Sequence, residues 1–278
     1  MPVDVTVHSH KQTDCPVEIS VADSKGHVVG SHQHVADKPF KFTVPSPKLW
    51  SPDTPTLYNV TVKMGDDEIK SYTGFRTISS GVVNGIKRPL LNGEFVFMFG
   101  PLDQGYWPDG LHTPPSVPAM VYDLEVIKGL GMNMVRKHVS FGCHGSGWIY
   151  LLTVPQIKIE PDLFYEACDR LGLMVIQDMP SMRVYTNARP TDAEQKEFER
   201  QLEIMINEHK SYTSIVTWVI YNEGWGQITD YHPEFGITDR IRQLDPTRLV
   251  NAVTGWWDHG AGDFSVRSLS YHCITCGY

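Results

Sequence analysis

The sequence predicts a small β-sandwich followed by an incomplete (β/α)8 barrel, the fold class also called a TIM barrel. Residues 1–80 contain short runs in which apolar and polar residues alternate, which is typical of strands with one buried face. From residue 88 onwards, continuous apolar runs alternate with helical patterns, which indicates β-α-β units around a parallel sheet. Residues 88–278 are fewer than the ~250 residues that such a barrel typically needs, so we expect its C-terminal strands to be missing.

Strands are predicted at four places in the first part. Stretches rich in Gly, Pro, Ser and Asp separate them and are typical of turns. The residues expected on the buried faces are Val3, Val5 and Val7; Val17, Ile19 and Val21; Phe40, Phe42 and Val44; and Tyr58, Val60 and Val62. Strands this short, at this spacing, predict a sandwich.

Five continuous apolar runs predict the strands of the second part. They cover residues 95–99, 133–136, 173–176, 215–220 and 249–253. The chain has no glycine-rich dinucleotide-binding fingerprint beside them, which favours a barrel over an open Rossmann sheet.

Four helical patterns lie between these runs, and each has a start or stop signal. Thr191 and Glu194 make a capping box, and Pro161 and Gly172 bracket another helix. The residues expected on the buried faces are Met120, Leu124 and Ile127; Leu163, Ala167 and Leu171; Phe198, Leu202, Met205, Ile206 and His209; and Ile237, Ile241 and Leu244.

Charge and composition argue against several classes of partner. The net charge is −8 and the chain has no basic stripe, so nucleic acid is not an expected partner. No apolar run approaches the ~20 residues that cross a bilayer, and no membrane association is expected. The first residues show no signal-peptide pattern and fall directly inside a strand-like pattern, so we expect the sandwich to be truncated at its N-terminus. Secreted and cytoplasmic locations therefore both stay open.

The strongest candidate site is the segment Trp218–Gly226, in which an apolar strand runs directly into Asn222 and Glu223. In a barrel, this order places the carboxylate at the C-terminal mouth, where catalysis takes place. Flanking aromatic residues such as Trp225 can stack on the apolar faces of a sugar. They also exclude water, which raises the pKa of a carboxyl and suits it to act as a general acid. A strand-end glutamate that caps a helix or pairs with a surface lysine is the alternative.

Several motifs, in the same order along nearly the whole chain, resemble glycoside hydrolase family 2, the group of β-galactosidases, β-glucuronidases and β-mannosidases. One position departs from the family pattern, because Thr213, directly before the segment Ser214–Glu223, stands where the family usually has a proline. The matching segments are Leu49–Pro52 with Pro55–Tyr58, Gly74–Arg76, Leu91–Glu94, Asn133–Arg136, Gln177–Pro180 and Ser214–Glu223.

The resemblance implies an immunoglobulin-like sandwich before the barrel and hydrolysis of β-linked sugars with retention of configuration. It makes Glu223 the general acid/base and Asn222 a substrate ligand, with Arg136, His138 and Asp178 lining the pocket. A retaining enzyme also needs a nucleophilic carboxylate ~5–5.5 Å away. The family places it at the seventh strand, beyond this chain, so no nucleophile is assigned. An inactive fragment or a carbohydrate-binding pseudoenzyme is the alternative.

The remaining predictions concern ligands and gene structure. Trp256 and Trp257 fit either a sugar platform or core packing at the barrel rim. No metal site and no cofactor is predicted, the expected partner is a small-molecule or oligosaccharide substrate, and a homo-oligomer stays open. Residues 139–156 interrupt the barrel pattern and can be encoded with splice-site sequences, so we interpret them as a retained intron. Residues 266–278 are interpreted in the same way as a read-through tail.

Overall fold

A computed structural model describes residues 1–9, 14–138, 159–182, 189–255 and 257–265. The predicted intron insert at 139–156 and the predicted tail at 266–278 lie outside the described residues, as does Trp256. Among the helices that the structure describes, none combines the length and apolar character needed to span a membrane.

The N-terminal part is a β-sandwich, as the alternating pattern predicts. The strands are β1 (Pro2–Val5), β2 (Pro16–Ala22), β3 (Val28–Val35), β4 (Phe40–Thr43), β5 (Leu57–Met64) and β6 (Asp67–Gly74). One sheet has the order β3-β2-β5-β6 with antiparallel neighbours, and β1 pairs with β4. Their inward side chains, including Ile19, Val21, Phe40, Phe42 and Tyr58, form one buried apolar cluster.

A third antiparallel sheet follows and crosses the predicted domain boundary. It consists of β7 (Ile78–Val83), β8 (Ile86–Leu91) and β9 (Glu94–Phe95). Asn92 and Gly93 connect the last two strands, and both have positive φ angles (54° and 86°). Asn-Gly is the residue pair that a tight two-residue hairpin turn favours, because both positions must adopt left-handed backbone.

The second part contains a parallel five-stranded sheet in sequential order, which is a partial (β/α)8 barrel. The strands are β10 (Leu102–Asp103), β11 (Met134–Lys137), β12 (Met174–Asp178), β13 (Ile215–Tyr221) and β14 (Leu249–Val253). Every residue of β13 and β14 is buried, which explains their continuous apolar sequences. Four of the five predicted strands are therefore confirmed.

The predicted strand at residues 95–99 is wrong. Phe97 and Phe99 are 69% and 50% exposed, whereas Val96 and Met98 pack against a buried cluster that contains Met134. The segment thus alternates between two faces instead of being buried on both. The first strand of the parallel sheet begins after Pro101, which has no N–H to donate to a neighbouring strand.

Four helices pack beside this sheet at the predicted places: α1 (Val117–Gly129), α2 (Asp162–Leu171), α3 (Asp192–His209) and α4 (Glu234–Leu244). The capping box of Thr191 and Glu194 is present, and Gly172 ends α2 with a φ of 74°. One prediction was wrong in detail, because Leu163 is 47% exposed and α2 instead buries Phe164, Tyr165 and Cys168.

The sandwich covers the N-terminal ends of the barrel strands. Arg76 donates hydrogen bonds to the carbonyl oxygens of Thr213 and Ile215 at the start of β13 and of Thr247 just before β14. Trp50 is fully buried and donates its indole N–H to the carbonyl oxygen of Asp169. The opposite edge, where the strands end, is therefore the face that remains for a site.

Candidate active site

The predicted site residues come together at the C-terminal edge of the parallel sheet. Arg136 and His138 lie at the end of β11, Asp178 ends β12, and Asn222 and Glu223 follow β13. The strands are parallel and in register, so their carboxyl ends meet at one edge although the residues are up to 87 positions apart along the chain, from Arg136 to Glu223.

Arg136 is the centre of a charge-assisted hydrogen-bond network. Its Nε and Nη2 atoms donate to the two carboxylate oxygens of Asp178 at 3.1 and 2.7 Å, which is the two-pronged geometry that a guanidinium favours. Nη2 also donates to the side-chain oxygen of Asn222 at 2.7 Å. The three side chains therefore fix one another's positions.

His138 adds a second nitrogen to the same carboxylate. Its Nδ1 lies 2.7 Å from Oδ2 of Asp178, and both side chains are buried. The ring centroid of Trp225 lies 6.1 Å from that of His138. Asp178 is thus engaged by an arginine and a histidine at once, which suits it to orient the site and not to transfer protons.

Asn222 has a single orientation in this network. Its side-chain oxygen accepts from Arg136 and, at 3.0 Å, from the hydroxyl of Thr254. Both donors require the oxygen on this side, so the amide NH2 group is the part left to donate to a ligand. Thr254 was not predicted from the sequence. The available signal was its place immediately after β14, at the same edge of the sheet.

Glu223 has an unusual backbone conformation, with φ 51° and ψ 24° in a short 3-10 turn. Its N–H donates to the hydroxyl of Thr254 at 2.8 Å, which anchors the turn. The side chain is half-buried. Within the described ranges, its carboxylate has no hydrogen-bond or ion-pair partner, in contrast with Asp178. The turn therefore presents an unpaired carboxylate beside a rigid polar network.

Aromatic residues border this turn. Trp225 is half-buried beside His138, and Trp257 packs on Gly224, where an added Cβ would lie 2.5 Å from the indole ring. Trp257 is itself 53% exposed and therefore does not belong to the barrel core. Asp263 does not join these residues, because its carboxylate accepts hydrogen bonds from Arg242 and from the N–H of Val250 at the start of β14.

Known proteins match the chain in both sequence and fold. A sequence model described as glycosyl hydrolases family 2 matches residues 1–76, and one described as the TIM barrel domain of that family matches residues 160–274. A putative β-glucuronidase of Formosa agariphila is 25% identical over 85% of this chain, and a β-galactosidase of Psychromonas ingrahamii is 27% identical over 92%. The chain spans only 21% and 22% of these two relatives.

Among solved structures, a β-glucuronidase of Parabacteroides merdae superposes with a TM-score of 0.67. It is 20% identical, and the match covers 92% of this chain and 31% of that one. This likeness supports the fold of a sandwich followed by part of a barrel. Because two sequence models of one family match in order on either side of residue 100, the chain belongs to glycosyl hydrolase family 2.

Proposed function

We propose that this chain carries half of the catalytic machinery of a retaining β-glycosidase, with Glu223 as the general acid/base. The observation that carries the proposal is the unpaired carboxylate of Glu223 at a barrel strand end, beside the network of Arg136, Asp178, His138 and Asn222. A carboxyl group that moves protons must be free to change its charge. Among the described residues of this cluster, Asp178 is held by Arg136, whereas the Glu223 carboxylate has no cationic partner.

Glu223 would act twice in each turnover. It first donates a proton to the leaving glycosidic oxygen and then, as a carboxylate, removes a proton from the attacking water. The NH2 group of Asn222 would hold a sugar hydroxyl beside the bond that breaks. The double engagement of Asp178 by Arg136 and His138 keeps Asn222 in place through Arg136.

The nucleophile belongs to a second carboxylate, ~5–5.5 Å from the acid/base in a retaining enzyme. Family resemblance assigns it to a later barrel strand, and we assign it to no residue of this chain. The substrate class is a β-linked glycoside. The relatives are named for glucuronides and galactosides, and no described residue here singles out one sugar.

The test uses the protein encoded by the spliced transcript and its Glu223→Gln variant on aryl β-glycosides. On substrates with poor leaving groups, the variant should lose about 10²–10⁴-fold in kcat/KM, the usual contribution of general acid catalysis. It should lose less on dinitrophenyl glycosides, which need no protonation, and added azide should restore turnover with a β-glycosyl azide as product. Glu203→Gln, an exposed residue of α3 paired with Arg240, is the matched control.

Two outcomes would reject the proposal. Full activity of Glu223→Gln on all substrates would show that another group transfers the proton. A first-formed sugar of inverted configuration would exclude the retaining mechanism. If the transcript keeps residues 139–156 and 266–278 and the protein binds sugars without turnover, the pseudoenzyme alternative is correct.

A further inference from the structure

A second cluster of ligand-type side chains lies beside the candidate active site and takes no part in its network. Glu234 is the first residue of α4 and is completely buried. Nδ1 of His259 lies 2.7 Å from its Oε1 atom, and Nδ1 of His232 lies 3.3 Å from the same oxygen. The two imidazole rings meet edge to face, with centroids 4.2 Å apart. We call these three residues the histidine–glutamate cluster.

We propose that the histidine–glutamate cluster binds a divalent transition-metal ion of the zinc class. One ligand atom from each residue lies within 4.8 Å of the other two. Zinc bonds of ~2.0–2.1 Å in a tetrahedron place neighbouring ligand atoms about 3.3 Å apart. The distance from Glu234 to His232, 3.3 Å, equals this value, and the distance to His259, 2.7 Å, is shorter by 0.6 Å, so a rotation of the His259 ring would admit an ion.

Unsatisfied polar atoms in the cluster support the same reading. Within the described part of the chain, Oε2 of Glu234 and Nδ1 of His232 are buried and lack a hydrogen-bond partner. A carboxylate held by one histidine alone explains neither atom, since buried polar groups almost always have partners. An ion between the three residues would give both atoms a partner. It would accept a lone pair from Nδ1 of His232 and would attract both oxygens of the Glu234 carboxylate.

The donor set decides the class of metal. Two imidazole nitrogens and one carboxylate oxygen are borderline ligands that suit Zn²⁺ and its neighbours, whereas Mg²⁺ and Ca²⁺ favour sites made of oxygen alone. Three protein ligands also leave a fourth position for water. At the level of sequence no metal site was predicted, because His232 and Glu234 are 25 or more residues from His259 and only the fold unites them.

The site would connect two loops at the barrel mouth. His259 lies two residues after Trp257, which packs on Gly224 next to Glu223, and the main-chain oxygen of Trp257 accepts from Gln227. An ion shared by His259 and the start of α4 would hold this loop against the turn that carries Glu223. The proposal concerns metal binding alone and does not depend on the proposed glycosidase activity.

The test is a titration of the chelator-treated chain with Zn²⁺ in competition with a chromophoric chelator. We expect one tightly bound ion per chain and a rise of the thermal midpoint on binding. His232→Ala and His259→Ala should each weaken binding by about 100-fold or more, since even the loss of a group that only supports a ligand costs about 10–100-fold. His27→Ala is the matched control, because His27 is an exposed histidine paired with Asp23 on the sandwich.

His232 is 43% exposed, so its replacement should leave the fold intact, as circular dichroism can verify. Glu234→Gln keeps the shape of the buried side chain and provides a second, independent variant. Loss of Zn²⁺ affinity in both, with the affinity of His27→Ala unchanged, supports the site. Substoichiometric binding, or an affinity that neither His232→Ala nor Glu234→Gln alters, overturns it.

Discussion

The contact between Tyr72 and Asp169 provides a quantitative test of how the sandwich is attached to the barrel. The hydroxyl of Tyr72 on β6 donates to Oδ2 of Asp169 on α2 at 2.9 Å. The same carboxylate accepts from the main-chain N–H groups of Thr213 and Ser214 at 3.3 and 2.5 Å. The buried carboxylate of Asp169 therefore accepts hydrogen bonds from both domains at the start of β13.

The structure allows an estimate of the free energies involved. Burial raises the pKa of Asp169 despite these donors, so the loss of its charge alone should cost little. Asp169→Ala, however, leaves two buried N–H groups without an acceptor, at about 1–3 kcal/mol each, and we expect a loss of about 3–5 kcal/mol in the free energy of unfolding. Tyr72→Phe removes one partly exposed hydrogen bond, which contributes about 1–2 kcal/mol.

The assay is urea unfolding of the four proteins of a double-mutant cycle, followed by the fluorescence of tryptophans that include the buried Trp50. In the Asp169→Ala background, Tyr72→Phe should cost almost nothing, so the coupling energy should be about 1–2 kcal/mol. Asp169→Asn keeps an acceptor for Ser214 and should be milder than Asp169→Ala. Additivity of the two single changes within about 0.5 kcal/mol would refute the reasoning.

Three further predictions concern other positions. Gly172→Ala should destabilise by about 1–3 kcal/mol in urea unfolding, because its φ is 74° and an added Cβ would lie 2.4 Å from the carbonyl oxygen of Pro52. Gly129→Ala, in open space at the end of α1, should instead be neutral or stabilising. Arg136→Lys cannot keep all three hydrogen bonds to Asp178 and Asn222. It should therefore lower the free energy of unfolding by about 2 kcal/mol, and an unchanged value would contradict the network. Burial alone would raise the pKa of Asp245, but Arg248 and the donors Thr247 and Trp218 lower it below 3.8. Its contribution to stability should be complete above pH 3.8 and lost as the pH falls further, and Asp245→Asn should abolish this acid dependence.

Local patterns predicted most of the fold because they report on local causes. The capping box of Thr191 and Glu194 and the left-handed Gly172 depend only on neighbouring residues, and both are present. The strand predicted at residues 95–99 was wrong because a local pattern does not report on distant contacts. Its composition does not reveal that one face packs on the barrel while Phe97 and Phe99 stay exposed.

The site was predictable only in part, since its contacts join distant strands. Glu223 could be selected because a strand runs directly into it, and its companions on β11 and β12 followed from family resemblance. The one local signal of Thr254 is its place directly after β14, and no local signal connects His259 with Glu234. Their significance comes from parallel pairing of β13 with β14 and from the approach of the following loop to α4, which no periodicity encodes.

The backbone at Glu223 has a consequence for any attempt to make the protein more heat-resistant. An L-residue in left-handed conformation costs roughly 1–2 kcal/mol that glycine avoids. Selection for thermal tolerance alone should therefore enrich glycine or asparagine at position 223. Each variant selected in this way would lack the carboxylate. If Glu223 is the acid/base that we propose, a screen of variants would have to measure turnover together with melting temperature, because the two properties would oppose each other at this position.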